Sequence, residues 1–118
     1  MNLLKIGRLG EEIAKKYLQA NRYAIIEQNY RTRRAEIDLI ALYKGILIFI
    51  EVRTKRDERF GIPEESLNRK KRIKLVGNAK AYIARKRWQK AYRIDAICIV
   101  LDNNYQLKRF NHHKNITF

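Results

Sequence analysis

The chain has 118 residues and carries 27 Lys and Arg against 12 Asp and Glu, a formal net charge of +15. That length suits one domain around one core, residues 1–118, and the basic excess points to a polyanionic partner such as nucleic acid. One cysteine, Cys98, excludes an internal disulfide and fits a reducing cytoplasm; Lys5 and Arg8 interrupt any leader-like apolar stretch, and no run is long enough for a membrane helix.

Residues 3–20 are predicted to be helical, because Ile6, Leu9, Ile13, Ala14, Tyr17 and Leu18 recur at helical spacing. Glu11 falls at the rim of that apolar arc, beside Gly7, Ala14 and Leu18, whereas Glu12 points to the solvated side. Asn21 is the expected stop. Tyr23–Asn29 reads as a strand centred on Ala24, Ile25 and Ile26, and Arg31-Thr32-Arg33-Arg34 as a basic link. Two apolar runs, Ile37–Tyr43 and Ile46–Val52, meet at Lys44-Gly45 and read as a β-hairpin.

Thr54–Gly61 is a charged connection, expected to be mobile. Pro63, Glu64 and Glu65 precede a second helix, from about Leu67 to Arg87, with Leu75, Val76, Ala79, Tyr82 and Ile83 as its apolar stripe. Its first turns hold Arg69, Lys70, Lys71, Arg72 and Lys74. Positive charge there opposes the helix macrodipole, which suggests a ligand role. Lys71 shares a side with Leu75 and Ala79 and so aims nearer the core than its neighbours. Tyr92–Leu101 reads as a strand in which Cys98 packs rather than reacts. Asp102–Asn104 reads as a turn and Tyr105–Phe110 as an edge strand. Residues 111–118 carry no readable pattern, and His112-His113 is expected to be solvated. The order is αβββαββ, a mixed sheet with helices on both faces.

The hairpin register carries the chemistry. Across a two-residue loop Tyr43 faces Ile46, so Asp38 faces Glu51 and Glu36 faces Arg53. These four polar groups share one face. Ile37, Leu39, Ala41 and Tyr43, against Val52, Ile50, Ile48 and Ile46, form the other. Directly opposed carboxylates destabilise a sheet. A cation between them removes the conflict, and hard oxygen donors suit Mg²⁺ or Mn²⁺. The plainer reading is a solvated acidic face with a Glu36–Arg53 ion pair. Against it, the same face continues as Ile40, Leu42, Leu47 and Phe49, so it is apolar and expected to be covered.

Asp38 with Glu51-Val52-Arg53 resembles the signature of the PD-(D/E)xK nuclease superfamily, whose core is αβββαβ. More narrowly, the chain resembles the YraN-like family, described as endonucleases related to Holliday junction resolvases. Gly7-Arg8-Leu9-Gly10-Glu11, Asn29-Tyr30-Arg31, Glu36-Ile37-Asp38-Leu39-Ile40-Ala41, Phe49-Ile50-Glu51-Val52-Arg53, Gly61 with Pro63, Lys71, Ala79 and Tyr82, and Arg93-Ile94-Asp95 carry that likeness. The resemblance implies a restriction-endonuclease-like α/β fold. It also implies a metal-dependent endonuclease acting on DNA, including branched or junction DNA. Asp38, Glu51 and the Val52 carbonyl would hold Mg²⁺ or Mn²⁺, with Glu11 as a further ligand or a water-orienting group. Catalytic roles would fall to Glu11, Asp38, Glu51 and Arg53.

Two departures stand out. Ala35 replaces the glycine that usually precedes Glu-Ile-Asp, so a positive φ there is disfavoured. Arg53 stands where the superfamily usually has Lys. Arginine keeps its proton, so Arg53 can hold phosphate but cannot act as a general base. The phosphate-contacting candidates are Arg31, Arg33, Arg34, Arg69, Lys70, Lys71, Arg72 and Lys74. A homodimer would supply the two active sites that junction cutting calls for, although no motif here encodes one. The competing class is a non-catalytic module for DNA or structured RNA, with Tyr30, Trp88 and Tyr92 as stacking groups. A basic protein binding anions without specificity is the plainest option. The carboxylate pair discriminates, because a pure binder gains nothing from acids that repel phosphate.

Overall fold

The computed structural model describes residues 2–59 and 61–117. Helix α1 (Leu3–Ala20) starts where the Asn2 side chain accepts a hydrogen bond from the Lys5 N–H. It is followed by β1 (Ala24–Arg31), β2 (Glu36–Tyr43) and β3 (Ile46–Lys55). A 3₁₀ turn at Pro63–Ser66 leads into α2 (Arg69–Lys86), capped by Asn68 through the Lys71 N–H, and then β4 (Tyr92–Leu101) and β5 (Leu107–His113). The αβββαββ order is therefore present, with a short 3₁₀ turn just before the predicted start of the second helix at about Leu67.

The five strands lie in chain order, β1-β2-β3-β4-β5, and only β3 and β4 run parallel. A parallel neighbour needs a crossover, and α2 provides it. The turn between β2 and β3 has positive φ at both central residues, 50° at Lys44 and 79° at Gly45. That geometry matches the right-handed twist of paired strands and fixes the expected register, Tyr43 opposite Ile46 and Leu39 opposite Ile50.

Each sheet face has its own core. Leu39, Ala41, Ile48, Ile50 and Val52 pack with Ile6, Ala14 and Leu18 of α1; Ile40, Leu47, Phe49 and Ile94 pack with Leu75, Ala79 and Tyr82 of α2. β3 is thus covered on both sides, which explains its nearly continuous apolar run. Gly10 lets α1 approach it closely: a Cβ there would lie 1.8 Å from Thr54 Oγ1. Cys98 is fully buried in the sheet, and burial pushes its thiol up to about 12, so it packs as expected.

Several expectations are corrected. Ile37 joins the α2-side cluster instead of the α1 side. The regular β2–β3 ladder ends at Leu39 and Ile50, and beyond it the strict alternation of faces no longer holds. Ile26 is 47% exposed, because it falls at a bulge between Ile25 and Glu27 in the edge strand β1. β5 starts later and runs further than predicted, through His113, so the tail is structured up to that point. His112 is buried rather than solvated: its side chain is 5% exposed and its Nε2 lies 2.8 Å from Asp95. Asp95, itself fully buried, also accepts two hydrogen bonds from Arg93 and one from the Asn115 N–H. The Arg93-Ile94-Asp95 segment therefore clamps the C-terminal strand to the sheet. A polar pair such as His112-His113 carries no hydropathy signal of its own, and only the buried acid on β4 reveals its place.

Candidate functional site

Where the β2–β3 ladder stops, side chains take over from backbone. Asp38 Oδ2 accepts a hydrogen bond from the Val52 N–H at 2.8 Å. Glu51, one residue back on the central strand, is only 7% exposed. The two carboxyl groups meet closely enough that a proton held on Asp38 hydrogen-bonds Glu51. Burial, and then the Glu51 charge, raise Asp38 from 3.8 to about 8. At neutral pH this pair therefore favours holding a proton or another cation.

Glu11 comes from α1, seated by the close Gly10 contact. Its carboxyl is raised by burial and then by Glu51, against a smaller opposing effect of Arg8. Glu11 Oε1 is buried with no hydrogen-bond partner, as is Thr54 Oγ1 beside the same cavity. Glu12 is exposed. Three acids from three elements thus influence one another, as the helical wheel and hairpin register anticipate. Glu11 does not, however, join the pair as a compact three-ligand cluster. Among the described residues the set of three His, Cys or acidic side chains whose ligand atoms lie within 4.8 Å of one another is Glu64, Cys98 and His113, elsewhere on the sheet.

The cations are arranged differently from the sequence expectation. The Glu36–Arg53 cross-strand pair does not form. Glu36 pairs instead with Arg31, its β1 neighbour, at 2.6 Å. Arg53 donates through Nε to Ser66 Oγ at 2.9 Å and lies 3.5 Å from Glu51. The reason is topological: β2 is flanked by β1 as well as β3, and the 3₁₀ turn offers Arg53 a nearer acceptor. Lys71 reaches from the first turn of α2 to Glu51 at 3.2 Å, and its side chain is 24% exposed. Its inward aim follows the predicted helical phase.

Asp38, Glu51, Arg53 and Lys71 line one cleft of about 160 Å³, together with Glu36, Lys74 and Asn78. A neighbouring hollow of about 270 Å³ is lined by Arg31, Arg33 and Arg34 and shares Glu36, Lys74 and Asn78 with the first. Of the predicted phosphate contacts, Arg31, Arg33, Arg34, Lys71 and Lys74 border this continuous path. Arg69, Lys70 and Arg72 do not line it, and Lys70 is fully on the solvent side. Tyr30 and Trp88 pack against the α2-side cluster, and Tyr92 is 40% exposed.

Two contributors escaped the sequence reading. Asn78 is buried and donates from Nδ2 to the Glu36 carbonyl at 2.9 Å, holding β2 to α2 between the two hollows. Its signal was present, since it falls in the Leu75–Ala79–Tyr82 stripe where a polar residue needs a partner. Ser66 anchors Arg53 while donating to the Pro63 carbonyl at 2.8 Å. Nothing in its local sequence distinguishes it.

Fold and site together define an α/β protein with a mixed five-stranded sheet and a half-buried Asp38 beside a buried Glu51 in a cleft of mixed charge. The profile described as "Uncharacterised protein family UPF0102" matches residues 10–99. A UPF0102 protein of Caldanaerobacter subterraneus subsp. tengcongensis is 38% identical over 114 residues, covering 95% of this chain and 93% of the relative. One from Caldicellulosiruptor bescii is 36% identical over 113 residues (94% and 95%), and one from Alkaliphilus metalliredigens is 49% identical over 82 residues (69% and 71%). The chain belongs to the UPF0102 family.

Proposed function

We propose that this protein is a metal-dependent endonuclease acting on DNA, with the Asp38–Glu51 pair as its centre. The observation that carries the reading is Asp38 meeting the buried Glu51, and raised to about 8 by burial and by that acid, in a cleft where Arg53, Lys71 and Lys74 stand beside Glu36, Asp38 and Glu51. Acids perturbed by burial and by a neighbouring acid cluster at functional sites. The donors fit a hard divalent ion. Two carboxylates converge, and Glu11 Oε1 lies buried and unpartnered nearby. Asp38, Glu51 and the Val52 carbonyl would hold Mg²⁺ or Mn²⁺. Bound there, the ion would act as a Lewis acid toward the scissile phosphate and lower the pKa of water.

The chain's own residues supply the rest. Lys71 and Arg53 bring positive charge to Glu51, where a phosphate oxygen would gain charge in the transition state. Arg53 is permanently protonated and serves as a clamp, oriented by Ser66. Lys71, 3.2 Å from Glu51, adds a second positive donor from α2 beside Arg53. Glu11 Oε1 would orient water. Lys74 and Arg31–Arg34 would track the phosphate backbone away from the centre.

One observation favours a non-catalytic DNA- or RNA-binding module instead: Glu51 is already paired with Lys71 and Arg53, a satisfied arrangement without metal. A cleavage screen separates the two. Wild type, Asp38→Asn and Arg53→Lys are incubated with linear, single-stranded, flapped and four-way substrates, with Mg²⁺, Mn²⁺ or chelator. The nuclease reading requires metal-dependent products that vanish in Asp38→Asn while binding persists. No cleavage by wild type under any condition, with salt-sensitive binding retained, establishes the module.

A further inference from the structure

A second cluster of chemically competent side chains lies away from the Asp38–Glu51 cleft. Glu64 of the 3₁₀ turn, Cys98 of β4 and His113 of β5 present an oxygen, a sulfur and a nitrogen, all within 4.8 Å of one another. Three separate elements converge on this point. Glu64 is the hub: Oε2 lies 2.9 Å from His113 Nε2, and Arg109 donates to both carboxylate oxygens, at 2.9 and 3.0 Å. The Cys98 thiol is fully buried against it, whereas the Glu64 and His113 side chains are 22% and 39% exposed. An ion therefore has an approach from solvent and a thiol waiting inside.

We propose that Glu64, Cys98 and His113 form a binding site for a thiophilic divalent ion, zinc by its chemistry, that ties the 3₁₀ turn to the sheet. One thiolate, one imidazole and one carboxylate are the donor types that zinc combines, and three protein ligands leave the fourth position for water. Ligands about 2.0–2.3 Å from a tetrahedral ion lie about 3.3–3.7 Å apart, so the 2.9 Å Glu64–His113 pair would open slightly, and a pair near the 4.8 Å limit would close by about 1 Å. On binding, the Cys98 thiol gives up its proton to solvent, and His113 ligates through Nε2 as the neutral tautomer that keeps its proton on Nδ1. Glu64 Oε2 turns from its donors to the ion, while Oε1 keeps Arg109.

Arg109 is the obvious objection, since a guanidinium repels a cation. It has other partners, Glu58 at 3.5 Å and Asn111, and from Oε1 it orients the carboxylate as groups beyond the ligand shell do at metal sites. Its charge also makes the site selective. Hard ions such as Mg²⁺ gain little from sulfur and face the same repulsion, so they are excluded. The carboxylate pair and this cluster thus differ in the ion each takes. Occupancy has a consequence for the cleft, because Ser66, two residues from Glu64, holds Arg53.

The test uses untagged full-length protein stripped by chelator. Titration with Co²⁺ is expected to produce a thiolate-to-metal absorption band together with visible bands of tetrahedral type, saturating at one ion per chain. Competition with a chromophoric chelator should give the same stoichiometry for Zn²⁺, with Mg²⁺ in large excess failing to displace it. Saturating zinc should raise the melting temperature by about 5 °C or more. Cys98→Ala and His113→Gln should each weaken zinc binding at least about 100-fold, and Asp38→Asn should leave it unchanged. His113 is partly exposed, so its variant remains informative if Cys98→Ala fails to fold. Cobalt uptake without the thiolate band, or zinc binding that survives His113→Gln at full affinity, overturns the proposal.

Discussion

Asp38→Asn isolates the energetic conflict at the centre of the cleft. Asparagine keeps the acceptor for the Val52 N–H and adds an amide that can donate to Glu51. It removes only the charge. In the wild type, burial and Glu51 lift Asp38 from 3.8 to about 8. In the unfolded chain the group ionises near 3.9, so folding takes up a proton between about pH 4 and pH 8. A folded pKa above the unfolded one means that this stability is complete below about pH 4, is lost progressively as pH rises, and levels off above about pH 8. Four units at about 1.4 kcal/mol each set a ceiling of about 6 kcal/mol. Lys71 and Arg53, 3.2 and 3.5 Å from Glu51, offset part of the repulsion. The metal-free variant is therefore expected to exceed wild type by about 2–3 kcal/mol at pH 9 and to match it near pH 4. Urea unfolding in chelator across that range measures the gap. Parallel stability curves for the two proteins would refute the coupled-carboxylate account. On the proposed metal site, Mg²⁺ should restore wild-type stability more at pH 9 than at pH 6, because the ionised pair would be its ligand; in Asp38→Asn that restoration should largely disappear.

Gly10→Ala should displace α1, because its new Cβ would meet Thr54 Oγ1 at 1.8 Å and Thr54 Cβ at 2.8 Å. A loss of about 1–3 kcal/mol is expected, partly recovered by adding Thr54→Ala; equal stability of Gly10→Ala and wild type would show that the helix does not sit where described. Asp95→Ala leaves Arg93 and His112 without their buried acid and should cost about 3–5 kcal/mol by thermal or urea unfolding, with amide exchange of β5 rising first. For DNA affinity, Lys71→Ala and Lys74→Ala should each reduce the slope of log affinity against log salt by about 0.9, whereas Lys70→Ala should leave it nearly unchanged. Equal slopes for all three variants would argue against the cleft as the phosphate path.

Local pattern alone determined a good deal about this protein. Lys44-Gly45 fixed the turn, the turn fixed the register as far as Leu39 and Ile50, and just beyond that ladder the Asp38 side chain meets Glu51 and the Val52 N–H. Period-2 and period-3.6 patterns are local properties, so the elements, the faces of the paired hairpin segment and the phase of Glu11 and Lys71 could be read without a structure, whereas the face of Ile37 could not. Tertiary structure decided what those patterns cannot encode. Arg53 faces Glu36 in the flat register, yet their partners are Ser66 and Arg31, because each side chain chose among acceptors from elements distant in sequence. The buried place of His112 likewise depends on Asp95, seventeen positions away, and Asn78 is explained only by the Glu36 carbonyl. Apolar burial is written as a periodicity along one segment. The satisfaction of a polar group is a pairwise, directional contact, and its other half can lie anywhere in the chain.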